Sequence, residues 1–263
     1  MKFCSFASGS SGNCEYIGDG NTNILLDMGI STKRIVNSLE EISISPEEID
    51  GILITHEHSD HIKGITVFES KYKVPIYATE GTLKGIEKSD KKHQIDTSLF
   101  RPIKPDKEIV IGGFCVKPFS TSHDALDSVC YTISDNVSKV GMATDLGIYD
   151  KYIINNLMDS DLLFIEANYD LAMLQAGPYP FYLKKRILSD YGHLSNDMSA
   201  RLILQLLSRK VKHIFLAHLS KENNYPELAY QSVKCDLERE YGNISMFDLR
   251  TADRDNISCE ISL

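Results

Sequence analysis

The start of the chain alternates apolar and polar positions in short runs that are separated by glycine, serine and asparagine. Alternation with a period of two is typical of a half-buried β-strand. The pattern predicts three strands, in the segments MKFCSFAS, CEYIGDG and NILLDMG. The chain is therefore expected to begin as a β-meander.

After Ser31 the spacing of the apolar residues changes to that of a helix. Ile35, Leu39 and Ile42 would lie on one face of a helix that Ser31 caps. The β-branched run IDGILIT comes next and predicts a buried strand. A strand, a helix and a further strand are thus expected to follow one another here.

The same two spacings predict further elements along the rest of the chain. Helices are expected at 62–72, 149–158, 178–190, 194–210 and 226–241. Strands are expected in VPIYAT, at 108–119, 129–134 and 138–144, and in DLLFIEAN, VKHIFLAHLS and ISCEIS. The lysine-rich stretch 84–97 has no clear apolar face, which predicts an exposed helix and loop.

The order of these elements predicts the architecture. Strands and helices interleave in both halves, which is typical of an α/β protein whose sheets are covered by helices. The second half repeats the alternation of the first only loosely, without a repeat of residues. No linker rich in glycine, serine or proline divides the chain, so a single domain over residues 1–263 is expected.

Composition narrows the class of protein. The chain has 263 residues, of which 42% are hydrophobic and 25% charged, as in ordinary globular proteins. Its net charge of −9 argues against broad adhesion to polyanions but allows a locally positive site. The six cysteines form no C-x-x-C pair, and no apolar run resembles a signal peptide or a membrane span. A cytoplasmic protein without membrane insertion is expected.

The segment THEHSDH, residues 55–61, concentrates three of the chain's eight histidines and two acidic residues directly after a predicted buried strand. His56 and His58 would point the same way in an extended chain, and Asp60 and His61 would approach from another side after a bend. Imidazole nitrogen and carboxylate oxygen are zinc ligands. A surface turn would also contain such residues, but the spacing H-x-H-x-D-H is far more constrained than a single H-x-H. The segment therefore predicts a site for two metal ions.

With this motif the chain resembles the metallo-β-lactamase fold superfamily of hydrolases. The resemblance implies a four-layer αββα sandwich of two mixed β-sheets flanked by helices. It also implies two divalent ions per chain, held by seven ligands: His56, His58 and His123 on one ion, Asp60, His61 and His218 on the other, and Asp145 between them. Nitrogen and oxygen ligands accept zinc, manganese or iron. Asp27 resembles the acidic residue that supports the histidine loop.

Three of these positions have simpler explanations. His123 stands in a turn rich in serine and threonine and would be exposed there, Asp145 would cap the helix predicted near residue 149, and Asp27 would be a turn residue. Their occurrence at strand ends, in the order that the superfamily requires, favours ligation, because open α/β sheets place their sites at the carboxyl ends of strands.

A narrower resemblance rests on ASGSSGNC, EANYD, GHLSN and HLSKENN. Together they are similar to the YycJ/WalJ-type branch of the superfamily, over nearly the whole chain. This implies a small cytoplasmic nuclease, a 5′-to-3′ exonuclease acting on DNA. Histidine is expected in that branch where Tyr169 stands, so no role is assigned to this tyrosine. The chain is too short for an inserted β-CASP or flavodoxin domain, and its own loops must hold the substrate.

The predicted centre suits phosphodiester chemistry. Two divalent ions with Asp60 and Asp145 keep a net positive charge that attracts an anion, and a metal pair supports in-line displacement at phosphorus. Asp60 would also orient the attacking water or accept its proton. His193 precedes a predicted helix N-terminus, which favours phosphate. It would contact the scissile phosphate or protonate the leaving oxygen, unless it is a structural loop histidine.

Contacts to the substrate are predicted from small polar and basic residues near these motifs. The candidates are Ser10, Ser11, Asn13, Asn196 and Lys221. The basic run 184–186 would steer a nucleic-acid backbone. Ordinary hairpin chemistry and a solvated helix face are the simpler explanations of the SGSSGN loop and the basic run.

Two other functions remain open at this point. The same centre would activate water against the carbonyl of a lactam, a lactone or a thioester. A metalloprotein without activity that binds a regulatory partner is the third class. The ligand set argues against a protein without activity, and the resemblance implies a nuclease whose substrate is a nucleic acid, expected to be DNA.

Overall fold

Two mixed β-sheets of seven strands each form the framework of the computed structural model of this chain. The structure describes residues 1–92, 94–258 and 260–263. His93 and Cys259 lie outside the described residues, so the predictions for the stretch 84–97 and for the strand ISCEIS are tested only in part.

The chain folds as two compact units. The first unit comprises residues 1–120, 125–129 and 253–263, and the second comprises residues 121–124 and 130–252. The organisation of the whole chain as a single domain stays a prediction.

The first sheet lies within the first unit. Its strands are β1 (Lys2–Ala7), β2 (Cys14–Gly18), β3 (Asn23–Leu26), β4 (Gly51–Leu53), β5 (Ile76–Thr79), β6 (Phe100–Ile103) and β14 (Ile261–Ser262). They are arranged in the order β14-β1-β2-β3-β4-β5-β6. β1, β2 and β3 pair antiparallel, which confirms the predicted meander, and β3 to β6 pair parallel. The carboxyl ends of β3 and β4 therefore lie at the same edge of the sheet.

The helices of the first unit are α1 (Thr32–Glu41), α2 (Ser59–Ile62), α3 (Ile65–Tyr72) and α4 (Glu80–Ser89). The Ser31 side chain caps α1, and Ile35 and Leu39 are buried, as predicted. α4 begins before the lysine-rich stretch and buries Leu83 and Ile86. The helix thus has an apolar face that the lysines obscured in the sequence.

The second sheet contains β7 (Ile109–Ile111), β8 (Phe114–Ser120), β9 (Val129–Ser134), β10 (Lys139–Ala143), β11 (Leu162–Glu166), β12 (His213–Ala217) and β13 (Asp248–Thr251). Its strand order is β13-β12-β11-β10-β9-β8-β7. β10 to β13 pair parallel. β10, β11 and β12 are continuous apolar runs that are buried almost throughout, as expected of parallel strands covered on both faces.

The single strand predicted at 108–119 is two antiparallel strands, β7 and β8. The chain turns at Gly112, whose φ of 54° lies in the left-handed region that glycine adopts without a Cβ penalty. The prediction was wrong here because it joined the two apolar runs on either side of Gly112 and Gly113 into one segment.

The helices of the second unit are α5 (Lys151–Leu157), α6 (Leu171–Ala176), α7 (Phe181–Ile187), α8 (Asn196–Leu206) and α9 (Pro226–Tyr241). The Ser195 side chain caps α8, whose Leu202 and Leu206 are buried. α8 packs against β11 and α9 against β13. Within the described ranges, no helix combines the length and the apolar character that crossing a membrane requires.

Candidate metal centre

The motif residues of the first unit gather at the carboxyl end of β4. His56 and His61 are buried, and His58 and Asp60 are partly buried at the start of α2. The His56 Nε2 and His58 Nδ1 atoms are 3.0 Å apart, and the rings of His56 and His61 lie 4.1 Å apart. The predicted bend thus brings three imidazoles of the motif together.

Asp27 supports this loop from the end of β3. Its Oδ2 accepts a hydrogen bond from His61 Nδ1 at 2.7 Å, and its Oδ1 accepts one from Thr55 N at 2.9 Å. A carboxylate bonded to Nδ1 fixes the tautomer in which Nε2 keeps its lone pair, which is how metal-ligating histidines are usually oriented. The geometry agrees with the supporting role that the sequence implies for Asp27.

The SGSSGN loop packs against the same motif. The backbone N–H of Asn13 donates to Asp60 O at 2.9 Å, and Asn13 Nδ2 lies 3.2 Å from His61 Nε2. A Cβ on Gly29 would come within 1.6 Å of Asp60 O, so this approach requires glycine. Asn13 is buried, whereas Ser10 and Ser11 are exposed. A substrate role for these three polar residues stays a prediction.

A second cluster lies within the second unit, where β10, β11 and β12 end side by side. It comprises Asp145, Glu166, His193 and His218, each of which offers a ligand atom within 4.8 Å of the others. Asp145 is the second residue after β10, His218 directly follows β12, and Glu166 is the last residue of β11. Parallel neighbours bring their carboxyl ends to one edge, which explains the convergence.

Glu166 is the centre of this cluster and was missed in the sequence. Its carboxylate is fully buried. Oε1 accepts hydrogen bonds from Nδ1 of His193 and of His218, each at 2.8 Å, and Oε2 accepts from Leu146 N and Leu194 N. Burial alone would raise the pKa of Glu166, but the charge of His193 and the hydrogen bonds from both histidines lower it to about 2. An acidic residue at the end of the strand DLLFIEAN was the available clue.

His123 lies beside this cluster. Its side chain is buried, with Nδ1 3.2 Å from Gly192 O and Nε2 3.7 Å from Asp145 Oδ1. Its ring lies 5.2 Å from that of His193. The explanation of His123 as an exposed turn residue is therefore wrong.

The backbone is strained at three of the site residues. Asp27, Asp145 and His218 have φ values of 57°, 56° and 55°, and each lies within two residues of the end of a strand. A left-handed conformation costs a non-glycine residue of order 1–3 kcal/mol, and such strain gathers at functional sites.

Asp150, and not Asp145, caps α5. The simpler explanation of Asp145 as a helix cap is therefore wrong.

The remaining candidates lie around the second cluster. His193 donates its backbone N–H to Ile187 O at 3.1 Å, in the loop before α8. Tyr169 is buried and bridges to Ser195, and burial raises its pKa to about 12. Asn196 is buried against Asn224, and Lys221 is exposed. The contacts of His193, Asn196 and Lys221 with a substrate stay predictions.

The donor atoms of both clusters fit divalent metal ions. A tetrahedral ion at 2.0–2.1 Å from two imidazole nitrogens separates them by about 3.3 Å, close to the 3.0 Å between His56 Nε2 and His58 Nδ1. The second cluster combines two imidazoles with two carboxylates. Imidazole and carboxylate are the ligands that zinc, manganese and iron share, so the chemistry of the donors indicates divalent metal binding.

Comparisons with known proteins agree with this site. Residues 22–218 match the family model of the β-lactamase superfamily domain. The exodeoxyribonuclease WalJ of Streptococcus pneumoniae is 39% identical over 89% of this chain and 87% of its own. The exodeoxyribonuclease YycJ of Bacillus anthracis is 35% identical over 96% of each chain. The metallo-β-lactamase fold protein YhfI from Bacillus subtilis superposes with a TM-score of 0.72 at 15% identity, over 98% of this chain and 100% of its own.

The chain belongs to the metallo-β-lactamase superfamily, in the branch that these WalJ and YycJ proteins represent. It is accordingly a metal-dependent hydrolase. The resemblance inferred from the sequence is confirmed, as is the fold class of two mixed sheets flanked by helices.

Proposed function

We propose that the chain is an exodeoxyribonuclease that degrades DNA from the 5′ end. The main support is that groups of imidazole and carboxylate side chains able to hold a metal ion occur in a chain 35–39% identical to two exodeoxyribonucleases over most of its length. The proposal places its action in the cytoplasm, where its DNA substrate would be.

The proposal includes two divalent ions, zinc or manganese, with iron as an alternative. Their ligands would be His56, His58, His123, Asp60, His61, His218 and Asp145. When bound, such a pair lowers the pKa of water from 15.7 to about 7 and stabilises the attacking and leaving oxygens of a phosphodiester. The matched family model spans residues 22–218 and so includes all seven positions.

The side chains around these ligands would have separate tasks. Asp27 and Glu166 accept hydrogen bonds from the Nδ1 atoms of their histidine partners. This directs Nε2 of each ring away from the carboxylate. Asp60 would orient the attacking water or accept its proton. His193 would contact the scissile phosphate or give a proton to the leaving oxygen.

A substrate panel tests the proposed function. Purified protein supplied with Mn²⁺ or Zn²⁺ is offered 5′-phosphorylated duplex DNA, single-stranded DNA, RNA, nitrocefin and a thioester. We expect release of nucleotides from the 5′ end of DNA, and loss of this release on addition of a chelator. Turnover of nitrocefin or the thioester without release of nucleotides would contradict the proposal, and so would the absence of any turnover.

A substitution at Asp27 is expected to weaken metal binding without unfolding the loop. In Asp27→Asn the amide is neutral and has one acceptor oxygen in place of two, so His61 and Thr55 compete for it. Loss of such a supporting partner typically lowers metal affinity by about 10–100-fold. Competition with a chromophoric chelator measures this affinity.

Asp19→Asn is the matched control, because Asp19 only accepts from two backbone N–H groups in an exposed turn. Its metal affinity should equal that of the unmodified protein. An Asp27→Asn protein with unchanged affinity would show that Asp27 has no supporting role.

A further inference from the structure

An exposed aromatic surface lies along α7 and the turn that follows it. Phe181 is 82% exposed, Tyr182 75% and Tyr191 61%. Exposed apolar patches of this kind mark binding surfaces more often than isolated apolar residues do. We call the surface formed by α7 and the following turn the α7 surface.

The α7 surface contains a groove of about 680 Å³. The described residues that line it are Gln175, Tyr179, Phe181, Lys184, Lys185, Leu188 and Ser189. Its volume falls within the range of about 300–1,000 Å³ that is usual for ligand sites. These lining residues include two lysines and no carboxylate, in a chain whose net charge is −9. The groove is therefore locally positive and apolar at once.

The exposed aromatics are not needed to anchor the segment. α6 and α7 are held by a small cluster of Tyr169, Leu174 and Ile187, against which Tyr179 and Leu183 pack. Phe181 and Tyr182 lie outside this cluster. Packing therefore explains the position of α7 but not the aromatic side chains that it exposes.

The two lysines differ from the arginine beside them. Arg186 forms an ion pair with Asp124, with Nη2 2.8 Å from Oδ1, so its charge is already balanced. Lys184 Nζ donates to the carbonyl oxygen of Gln175, at 2.7 Å, and keeps its charge because a carbonyl oxygen is neutral. Of the basic run predicted to steer nucleic acid, Lys184 and Lys185 are therefore the residues that face the groove.

The loop that carries His193 begins at Ser189, which lines the groove. Gly192 N donates to Ser189 O at 2.9 Å, and His193 N donates to Ile187 O at 3.1 Å. Four residues of extended chain span at most about 14 Å, so Ser189 lies within that distance of His193. Stacked nucleotides rise about 3.4 Å each. A strand with its scissile phosphate at His193 would reach the groove within about four nucleotides.

We propose that this groove binds unpaired nucleotides of the DNA strand that is being degraded. The bases would stack on Phe181 inside the groove and on the exposed Tyr182 beside it, and the phosphates would pair with Lys184 and Lys185. Aromatic side chains beside positive charge are the usual means of holding single-stranded nucleic acid without sequence preference. This inference rests on the proposed nuclease function and adds that the enzyme holds its substrate as a single strand.

The proposal is tested by measuring the binding of a 5′-phosphorylated single-stranded oligonucleotide by fluorescence anisotropy. A chelator in the buffer prevents turnover. Phe181→Ala and Tyr182→Ala should each lower the affinity about tenfold, because each removes one stacking surface. An oligonucleotide with abasic sites should bind the unmodified protein more weakly, and the same substitutions should then have little effect. Lys185→Gln should weaken binding of both oligonucleotides and reduce the salt dependence by about one phosphate contact.

Matched controls come from the same unit. Tyr241 is 44% exposed near the end of α9, and Lys210 is exposed in a turn. Tyr241→Ala and Lys210→Gln should leave the affinity unchanged. Unchanged affinity in Phe181→Ala and Tyr182→Ala would overturn the proposal and would suit a groove that accepts an apolar peptide. An equal loss for normal and abasic oligonucleotides would also overturn it.

The two proposals fail in different ways. If the unmodified protein with Mn²⁺ or Zn²⁺ releases no nucleotides from DNA, the proposed function fails. If it releases nucleotides while Phe181→Ala and Tyr182→Ala keep the same KM and the same affinity, only the groove proposal fails.

Discussion

Substitution of Glu166 by alanine is expected to abolish nucleotide release and to lower the free energy of unfolding by about 4 kcal/mol. The Glu166 carboxylate is fully buried and accepts hydrogen bonds from His193, His218 and two backbone N–H groups. Alanine removes the carboxylate that accepts from all four donors, and each buried donor that loses its partner costs about 1–3 kcal/mol. Denaturant unfolding of the metal-free protein and nucleotide release measure the two effects.

Glu166→Gln separates the role of the carboxylate in orienting His193 and His218 from its role in stability. Glutamine keeps one acceptor oxygen, which can satisfy either the histidines or the backbone but not both, and its NH₂ group would face further donors. We therefore expect a smaller loss of stability, about 2 kcal/mol, together with a similar loss of activity. Equal activity in Glu166→Gln and the unmodified protein would show that the carboxylate does not set the orientation of His193 and His218.

Glu69 supplies the control for burying a carboxylate. Its side chain is also fully buried, accepts from Asp96 N and pairs with Lys73, but it lies in α3, outside both clusters. Glu69→Ala should lower the free energy of unfolding while the folded protein keeps its nucleotide release. A loss of activity in both variants that follows their unfolded fractions would mean that activity reports only stability.

Local patterns in the sequence were enough to predict the cluster of motif residues at the carboxyl end of β4. His56, His58, Asp60 and His61 lie within one short segment, so the period of a strand and one bend fix their relative directions. Regular apolar spacing likewise predicted α8 and α9. In these parts of the chain, local preference and tertiary structure agree.

The second cluster depends on contacts between residues far apart in the sequence. Glu166 is 27 residues from His193 and 52 residues from His218, and only the pairing of β10, β11 and β12 brings them together. A buried carboxylate with several donors has no periodic pattern that distinguishes it from a surface acid. Its role is visible only once the donors around it are known.

Two short strands were missed because pairing, and not intrinsic preference, makes them strands. β6 contains Pro102 and has two exposed residues, and β13 has the mixed sequence DLRT. Each is the last strand at one edge of its sheet, so only one of its two sides pairs with another strand. Edge strands of this kind tolerate proline and charge, which removes the alternation on which the prediction depended.

Substitution of Asp145 is expected to abolish activity, and glycine at this position is expected to relieve the backbone strain as well. Loss of the proposed bridging carboxylate should lower the rate of nucleotide release by about 10³-fold or more, since metal stabilisation of the reacting oxygens is worth several kcal/mol. Asp145 also has a left-handed φ of 56°, which costs a residue with a Cβ about 1–2 kcal/mol. Asp145→Gly should therefore be more stable than Asp145→Ala by about 1 kcal/mol, although both are inactive.

The control for Asp145 is an aspartate at the opposite end of the same strands. Asp161 precedes β11, is buried, and accepts a hydrogen bond from Lys139 N at 3.0 Å. Asp161→Asn should bind metal and release nucleotides as the unmodified protein does, because only the carboxyl ends of β10, β11 and β12 face the site. Metal content after dialysis, denaturant unfolding of the metal-free variants and nucleotide release give the comparison. Retained activity in Asp145→Gly would show that Asp145 is strained for a reason other than metal binding, since glycine removes both the ligand and the strain.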